Sequence, residues 1–311
     1  MSQPAPLPPT SPRTTGAADL LAPDTEMDAV TLHVADLAVM GDYYRRALGL
    51  QELDRTLARP VTTVAGGARP DVAVLGRDGR PLVVLVHTPG LPAPRRGEAG
   101  LFHTALLFPD RAALAAAVAG AARHPRSRYV GSADHLVSQA FYFTDPEGNG
   151  IELYWDRPRN LWTWHGGRVQ MATEPLDPNA FLAEHLDAEG GSNAAVGHVH
   201  LKVGDIATAR RFYVETLGFD VTADLGSALF FSAGGYHHHM AVNTWESAGT
   251  GARAATIGLG QVSIVVPTAG DVEALAERLG AHSVDHRSDG RTLRFEDPWR
   301  TLLEVSAADR D

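Results

Sequence analysis

Apolar and polar residues along this chain alternate in short runs that predict strands, and between some runs the period lengthens to that of a helix. VTLHVADLAVMGDYYRRALGL (30–50) reads as an alternating strand, an aspartate at an N-cap, and an amphipathic helix stopped by Leu-Gly. VHLKVGDIATARRFYVETLGF (199–219) reads the same way. Val34/Val203, Asp36/Asp205, Tyr44/Tyr213, Leu48/Leu217 and Gly49/Gly218 are all 169 residues apart, which makes the two segments an internal repeat. Two more segments follow the same logic with weaker identity. LFHTALLFPD leads into the helix RAALAAAVAGAA, and GQVSIVVPT leads into DVEALAERL. Each is followed by a strand ending in Asp-Pro and a further strand: FYFTDPEGNGIELYW (141–155) and LRFEDPWRTLLEVS (293–306). The spacing from Asp145 to Glu152 is seven, as is that from Asp297 to Glu304. The chain thus reads as four units of strand, helix and further strands, in two pairs.

The boundaries follow from composition. Residues 1–26, rich in Pro, Thr and Ala, read as a disordered tail. Units one and two occupy 27–158, and units three and four occupy 194–308. The connector 159–193 carries Trp162, Trp164 and a short helix around 178–186.

Charge and residue usage remove several function classes. A formal net charge of −10 with no basic run argues against nucleic-acid or anionic-membrane partners. No apolar run approaches the roughly 20 residues of a spanning helix. The first residues lack the basic start and apolar core of a secretory signal, and the absence of cysteine excludes disulfides, thiolate metal sites and cysteine nucleophiles. A cytoplasmic protein is expected; a homo-oligomer stays open.

GGYHHHMAVNTW raises the question of chemistry. Read as a strand entered through two glycines, it places His237 and His239 on one face and His238 on the other. The three cannot then bind one ion, so a metal would recruit ligands from elsewhere.

Four βαβββ units carrying GLFHTALLFPDR, DHLVSQAFYFTDPEGNGIELYWDRPR, GHVHLKV and GGYHHHMAVNTW resemble the vicinal oxygen chelate superfamily of glyoxalases, bleomycin resistance proteins and dioxygenases. Within it the resemblance is to the two-domain type I extradiol enzymes, the catechol 2,3-dioxygenases, over residues 27–306. It implies an α+β fold whose four βαβββ modules form two domains with cup-shaped mixed sheets. It also implies metal ligands from the first and last strands of paired units. Aligning the first strands puts His103, His198, Ala29 and Gln261 at one equivalent position, and the last-strand carboxylate position holds Glu152 and Glu304. The favoured ligand set is His103, Glu152 and His198, two imidazoles and a carboxylate of the kind found in non-haem Fe(II) oxygenases, with Mn(II) as the alternative ion. That set requires the second and third units to pack together. His198 with Gln261 and Glu304 is the competing set; otherwise Glu304 is structural, as is His33.

The same resemblance implies a small aromatic diol and O₂ as substrates and a neutral-pH acid/base near the ion. HHMAV points at His239 for that role, with His237 as the fallback. His135 is a further candidate catalytic, pocket-lining residue. His200, Tyr142 and Tyr154 are candidates for substrate contact, and DPEGNG is read as a turn positioning Glu152 rather than a phosphate loop. Two other readings remain. One is a glyoxalase- or isomerase-type metalloenzyme with a fourth ligand such as His239; the other is a non-catalytic protein that binds an aromatic compound.

Overall fold

Each of the four units takes the predicted order in the computed structural model, which describes residues 20–58 and 70–308. Unit one runs β1 (Val30–Val34), α1 (Leu37–Arg46), β2 (Gln51–Leu53), β3 (Val72–Arg77) and β4 (Arg80–His87). Unit two runs β5 (Gly100–Leu107), α2 (Arg111–Arg123), β6 (Arg128–Asp134), β7 (Ser138–Thr144) and β8 (Gly150–Asp156). The connector contributes α3 (Pro178–His185). Unit three runs β9 (Ala195–Lys202), α4 (Ile206–Ala209), β10 (Asp220–Asp224), β11 (Ala228–Ser232) and β12 (Met240–Asn243). Unit four runs β13 (Gly258–Val266), α5 (Ala269–Ala281), β14 (His286–Ser288), β15 (Thr292–Glu296) and β16 (Leu302–Ala307).

The predicted caps are present. Asp36 and Asp205 accept from the backbone N–H of Val39 and Thr208, three residues on. Gly49 and Gly218 follow their helices with φ of 66° and 88°. The repeat is not exact: after one α-helical turn, α4 widens into a π-helix over Arg210–Thr216.

In every unit the first strand pairs parallel with the last: β1 with β4, β5 with β8, β9 with β12 and β13 with β16. This leaves the other edge of each first strand free, and those edges pair antiparallel, β5 with β9 and β1 with β13. Among the described residues, two nine-stranded sheets result. One runs β14-β15-β16-β13-β1-β4-β3-β2, with Glu26–Met27 also on β13. The other runs from Glu174–Pro175 through β6-β7-β8-β5-β9-β12-β11-β10. The sheets therefore cut across the division at 27–158 and 194–308: unit two joins unit three, and unit one joins unit four.

Units one and two, and units three and four, meet instead through helices and turns. The Tyr44 hydroxyl donates to Asp145 in the turn of unit two, and the backbone N–H groups of Ala35 and Asp36 donate to Glu147 there. Tyr213 repeats the first contact with Asp297 at 2.8 Å. The main apolar cluster draws Tyr43 from α1, Leu114 from α2, Phe141, Tyr213 and Leu275, so both sheets and their helices share one core.

The expected tail needs correction in its last part. Residues 1–19 lie outside the described residues, but Leu21 is buried and its N–H donates to Gly218 O, and Glu26–Met27 pair with β13. Apolar Leu21 and Met27 have a core to enter, which composition alone did not show. Among the described residues no helix is long and apolar enough to cross a membrane.

Candidate active site

β5 lies between β8 and β9, so three adjacent strands can present side chains to one point. Ala105 is the register partner of both Glu152 on β8 and His198 on β9. His103 stands two residues earlier on β5, on the same face as Ala105. The result is a cluster of His103, Glu152 and His198, one ligand atom from each lying within 4.8 Å of the others. The Nε2 atoms of His103 and His198 stand 2.9 and 3.1 Å from the same Glu152 oxygen, Oε2.

The donor set fits a divalent cation. All three residues are buried, Glu152 with 3% of its surface exposed. His103 Nε2, close as it is, is not aligned for a hydrogen bond, and His198 Nδ1 has no partner. Burial pushes the Glu152 carboxyl up, but the electrostatic pull of the His198 and His103 rings, with the hydrogen bond from His198, outweighs it and holds the group well below the carboxylate range. Burial lowers His198 to about 4 against the pull of Glu152. At neutral pH the cluster is thus an ionised carboxylate beside a neutral imidazole. A buried charge of this sort is costly unless a cation neutralises it.

A cavity of about 1010 Å³ opens over the cluster. Phe102, Phe230 and Trp245 wall it, and the exposed side chains of Val130, Leu225 and Trp245 give it an apolar mouth. His200 faces it, its Nε2 receiving a hydrogen bond from the Asn243 amide at 3.0 Å. His135 also lines it; its Nδ1 donates to Ala172 O and its Nε2 accepts from the Tyr142 hydroxyl, both at 2.7 Å. Tyr142 is the cross-strand partner of Glu152 and lies on the cavity wall.

Tyr154 does not reach the cavity. It is fully buried behind His198, with ring centroids 4.9 Å apart, and its hydroxyl lies 2.7 Å from that of Tyr236. Gly197 makes room for it, because a Cβ there would stand 1.7 Å from the Tyr154 hydroxyl oxygen.

The histidine triplet also departs from expectation. β12 begins only at Met240, so His237, His238 and His239 lie in an irregular approach to the strand, and strand alternation does not govern them. Gly234 and Gly235, with φ of 60° and 68°, turn the chain just before it. His238 is the member that faces the cavity, its ring centroid 4.1 Å from that of His198. His239 turns away and accepts from the N–H of Ala233 at 3.2 Å. His237 is fully buried between Asp156 and His238: its Nε2 lies 2.8 Å from Asp156 Oδ1 and its Nδ1 lies 2.7 Å from His238 Nδ1.

The equivalent place in the other sheet is closed to a metal. Glu304 receives Nε and a terminal nitrogen of Arg294, its cross-strand partner, both at 2.7 Å. Gln261 donates to Ser263. Neither belongs to the sheet that carries His198, which removes the competing set. The turn reading of DPEGNG holds: Asp145 accepts from the backbone N–H groups of Glu147 and Asn149, and Gly148 takes φ 88°.

The place of His238 at the cavity, Asp156 and the wall residues Phe102 and Trp245 were not anticipated. Asp156 had a signal, since it stands four residues after Glu152 on one strand and therefore on the same face. The others reach the site through tertiary contacts that no spacing encodes.

The chain matches the family model described as the Glyoxalase/Bleomycin resistance protein/Dioxygenase superfamily over residues 26–153 and 195–305. It is 34% identical over 282 residues to the catechol-2,3-dioxygenase of Bacillus subtilis (strain 168), covering 88% of this chain and 94% of that one. Among solved structures it superposes on a candidate dioxygenase from Bacillus subtilis with TM-score 0.61 and 14% identity, covering 92% and 86% of the two chains. Glyoxalase I from Zea mays gives TM-score 0.54 and 16% identity, with 91% and 92% covered. Matched through all four units, this chain belongs to the glyoxalase/bleomycin resistance protein/dioxygenase superfamily.

Proposed function

We propose that this protein is an extradiol ring-cleaving dioxygenase that opens a catechol-type aromatic diol with O₂. Fe(II), with Mn(II) as the alternative ion, is held by His103, Glu152 and His198. The observation that carries this reading is the meeting of two imidazole nitrogens at one buried carboxylate oxygen on the floor of an aromatic-walled cavity. The strongest support outside the geometry is the 34% identity, over most of both chains, to a catechol-2,3-dioxygenase.

A ferrous ion bound by three protein groups would keep open positions at which a diol and O₂ can be brought together. The chain's own residues supply the remaining needs. His238 lines the cavity, and burial, reinforced by the neighbouring His198 and His237 rings, keeps its pKa well below that of a free imidazole. It is therefore unprotonated at neutral pH, can accept a proton from a diol hydroxyl, and can return one when the ring opens. Burial raises the Tyr142 hydroxyl well above 10, so it keeps the hydrogen it gives to His135 on the cavity wall. Phe102, Phe230 and Trp245 give an aromatic ring faces and edges to pack on and keep water from the cluster.

The test is anaerobic loading with Fe(II), then addition of catechol and air. The expected result is O₂ uptake with a yellow ring-opened product. No turnover across a panel of diols, together with stoichiometric binding of zinc or nickel, would instead support an isomerase of the glyoxalase kind.

A further inference from the structure

We infer that Asp156 and His237 are positioning residues that determine which ring nitrogen of His238 carries its hydrogen, leaving the other as a lone pair. This rests on the reading of His238 as the proton-carrying group, but the geometry behind it is independent of any reaction. Glu152, Tyr154 and Asp156 share one face of β8. Glu152 is the part of that row in the cavity, and Asp156 is four residues further on, where His237 meets it.

The hydrogen bonds can be followed from the carboxylate outward. Asp156 accepts from the Tyr236 hydroxyl at Oδ2, 2.7 Å, and lies 2.8 Å from His237 Nε2 at Oδ1. An ionised carboxylate only accepts, so His237 carries a hydrogen on Nε2. In the neutral imidazole Nδ1 then has a lone pair and no hydrogen. His237 is fully buried, and the group that Nδ1 meets is His238 Nδ1, 2.7 Å away. Two ring nitrogens at that distance need one hydrogen between them, and with His237 in its neutral form that hydrogen comes from His238. His238 therefore carries its hydrogen on Nδ1, and its Nε2 is left with a lone pair. One carboxylate, acting through two rings, selects the tautomer in which His238 can serve as a base.

The surrounding contacts hold this chain in place. The Thr222 hydroxyl donates to His237 O, and the Trp162 ring packs against the His237 ring with centroids 5.2 Å apart. Because Tyr236 gives its hydrogen to Asp156, Tyr154 gives its own to Tyr236, and the second carboxylate oxygen is also taken. The arrangement follows the logic by which a buried carboxylate orients a catalytic imidazole, extended here by one ring.

Full-length protein labelled with ¹⁵N-histidine and loaded with diamagnetic Zn²⁺ reports the tautomer directly, since protonated and unprotonated ring nitrogens resonate apart. Wild type should show His238 protonated on Nδ1. In Asp156→Asn the carboxamide can donate to His237 Nε2, so the hydrogen of His238 should move to Nε2; Asp156→Glu should restore it. His237→Phe keeps a ring in place but removes both bonds, and His238 should then lose its tautomer preference. With Fe(II) and catechol, Asp156→Asn should lower kcat by roughly 10²-fold while KM and iron content stay within about 2-fold. An unchanged His238 tautomer in both Asp156→Asn and His237→Phe overturns the inference. If wild type opens no diol while the tautomer still follows residue 156, the positioning stands and the proposed reaction fails.

Discussion

The ring centroids of His198 and His238 lie 4.1 Å apart, 40 positions separating them in the chain, whereas the adjacent His239 is turned toward Ala233 N. This contact places His238 nearest the candidate metal cluster; the His237 ring stands 6.0 Å from that of His198 and is held by Asp156, and His239 is turned away. It predicts that His238→Phe retains its metal but loses turnover by about 10²–10⁴-fold, the usual weight of a general acid or base. His239→Phe should turn over at close to the wild-type rate. Iron content and O₂ uptake, measured together on both variants, check this, and the opposite ranking would return the role to His239.

The ligand assignment is tested by metal content alone. His103→Ala, Glu152→Ala and His198→Ala should each reduce tightly bound metal from about one ion per chain to a small fraction, because each removes one of only three protein groups that hold the ion. Glu304→Ala should keep its metal, since Arg294 occupies that carboxylate in the other sheet. If His103→Ala retained full metal and Glu304→Ala lost it, the cluster would be misassigned.

Acid stability should depend on His239. Burial, reinforced by the neighbouring His237 ring and the Arg159 charge, lowers its pKa to about 3. The folded protein then holds this ring neutral while the unfolded chain takes up a proton below about 6.5. Its contribution to stability is present above pH 6.5 and is lost as the pH falls from there toward 3. His239→Phe should flatten this part of the curve by up to several kcal/mol. Denaturant melts of metal-free protein between pH 7 and pH 4 provide the measurement; identical slopes for variant and wild type would contradict it.

Gly197 should be intolerant of a side chain. Gly197→Ala puts a methyl group 1.7 Å from the Tyr154 hydroxyl oxygen, so strand or ring has to move. A cost of roughly 1–3 kcal/mol is expected, typical of overpacking. Tyr154→Phe in the same chain removes the nearer clashing atom, leaving the ring carbon Cζ at 2.7 Å, and should recover part of that loss. A double-mutant cycle read by thermal melting gives the coupling; additive effects would show that the two positions do not meet.

How much of this was legible in the sequence differs by element. The repeat at an offset of 169 located two first strands, their Asp caps and their Leu-Gly stops, since caps and periods are local properties and the same local pattern gives the same local structure. His103, Glu152 and His198 could be singled out because the unit alignment puts histidine and glutamate at matching strand positions. Asp156 was within reach by the same strand period.

Local pattern did not say which strand edge meets which. Units two and three joining into one sheet, with unit one reaching across the chain to unit four, is settled by the free edges of β5, β9, β1 and β13. The orientation of His237, His238 and His239 lies further still from the sequence. An irregular segment has no period, so side-chain direction there depends on what each ring meets: Asp156 for His237, the cavity and His198 for His238, the backbone of Ala233 for His239. The sequence by itself determined the four units and the three residues able to form one cluster. Only the tertiary structure decided which histidine of the triplet stands beside it, because that choice is made by contacts between residues some 40 to 80 positions apart.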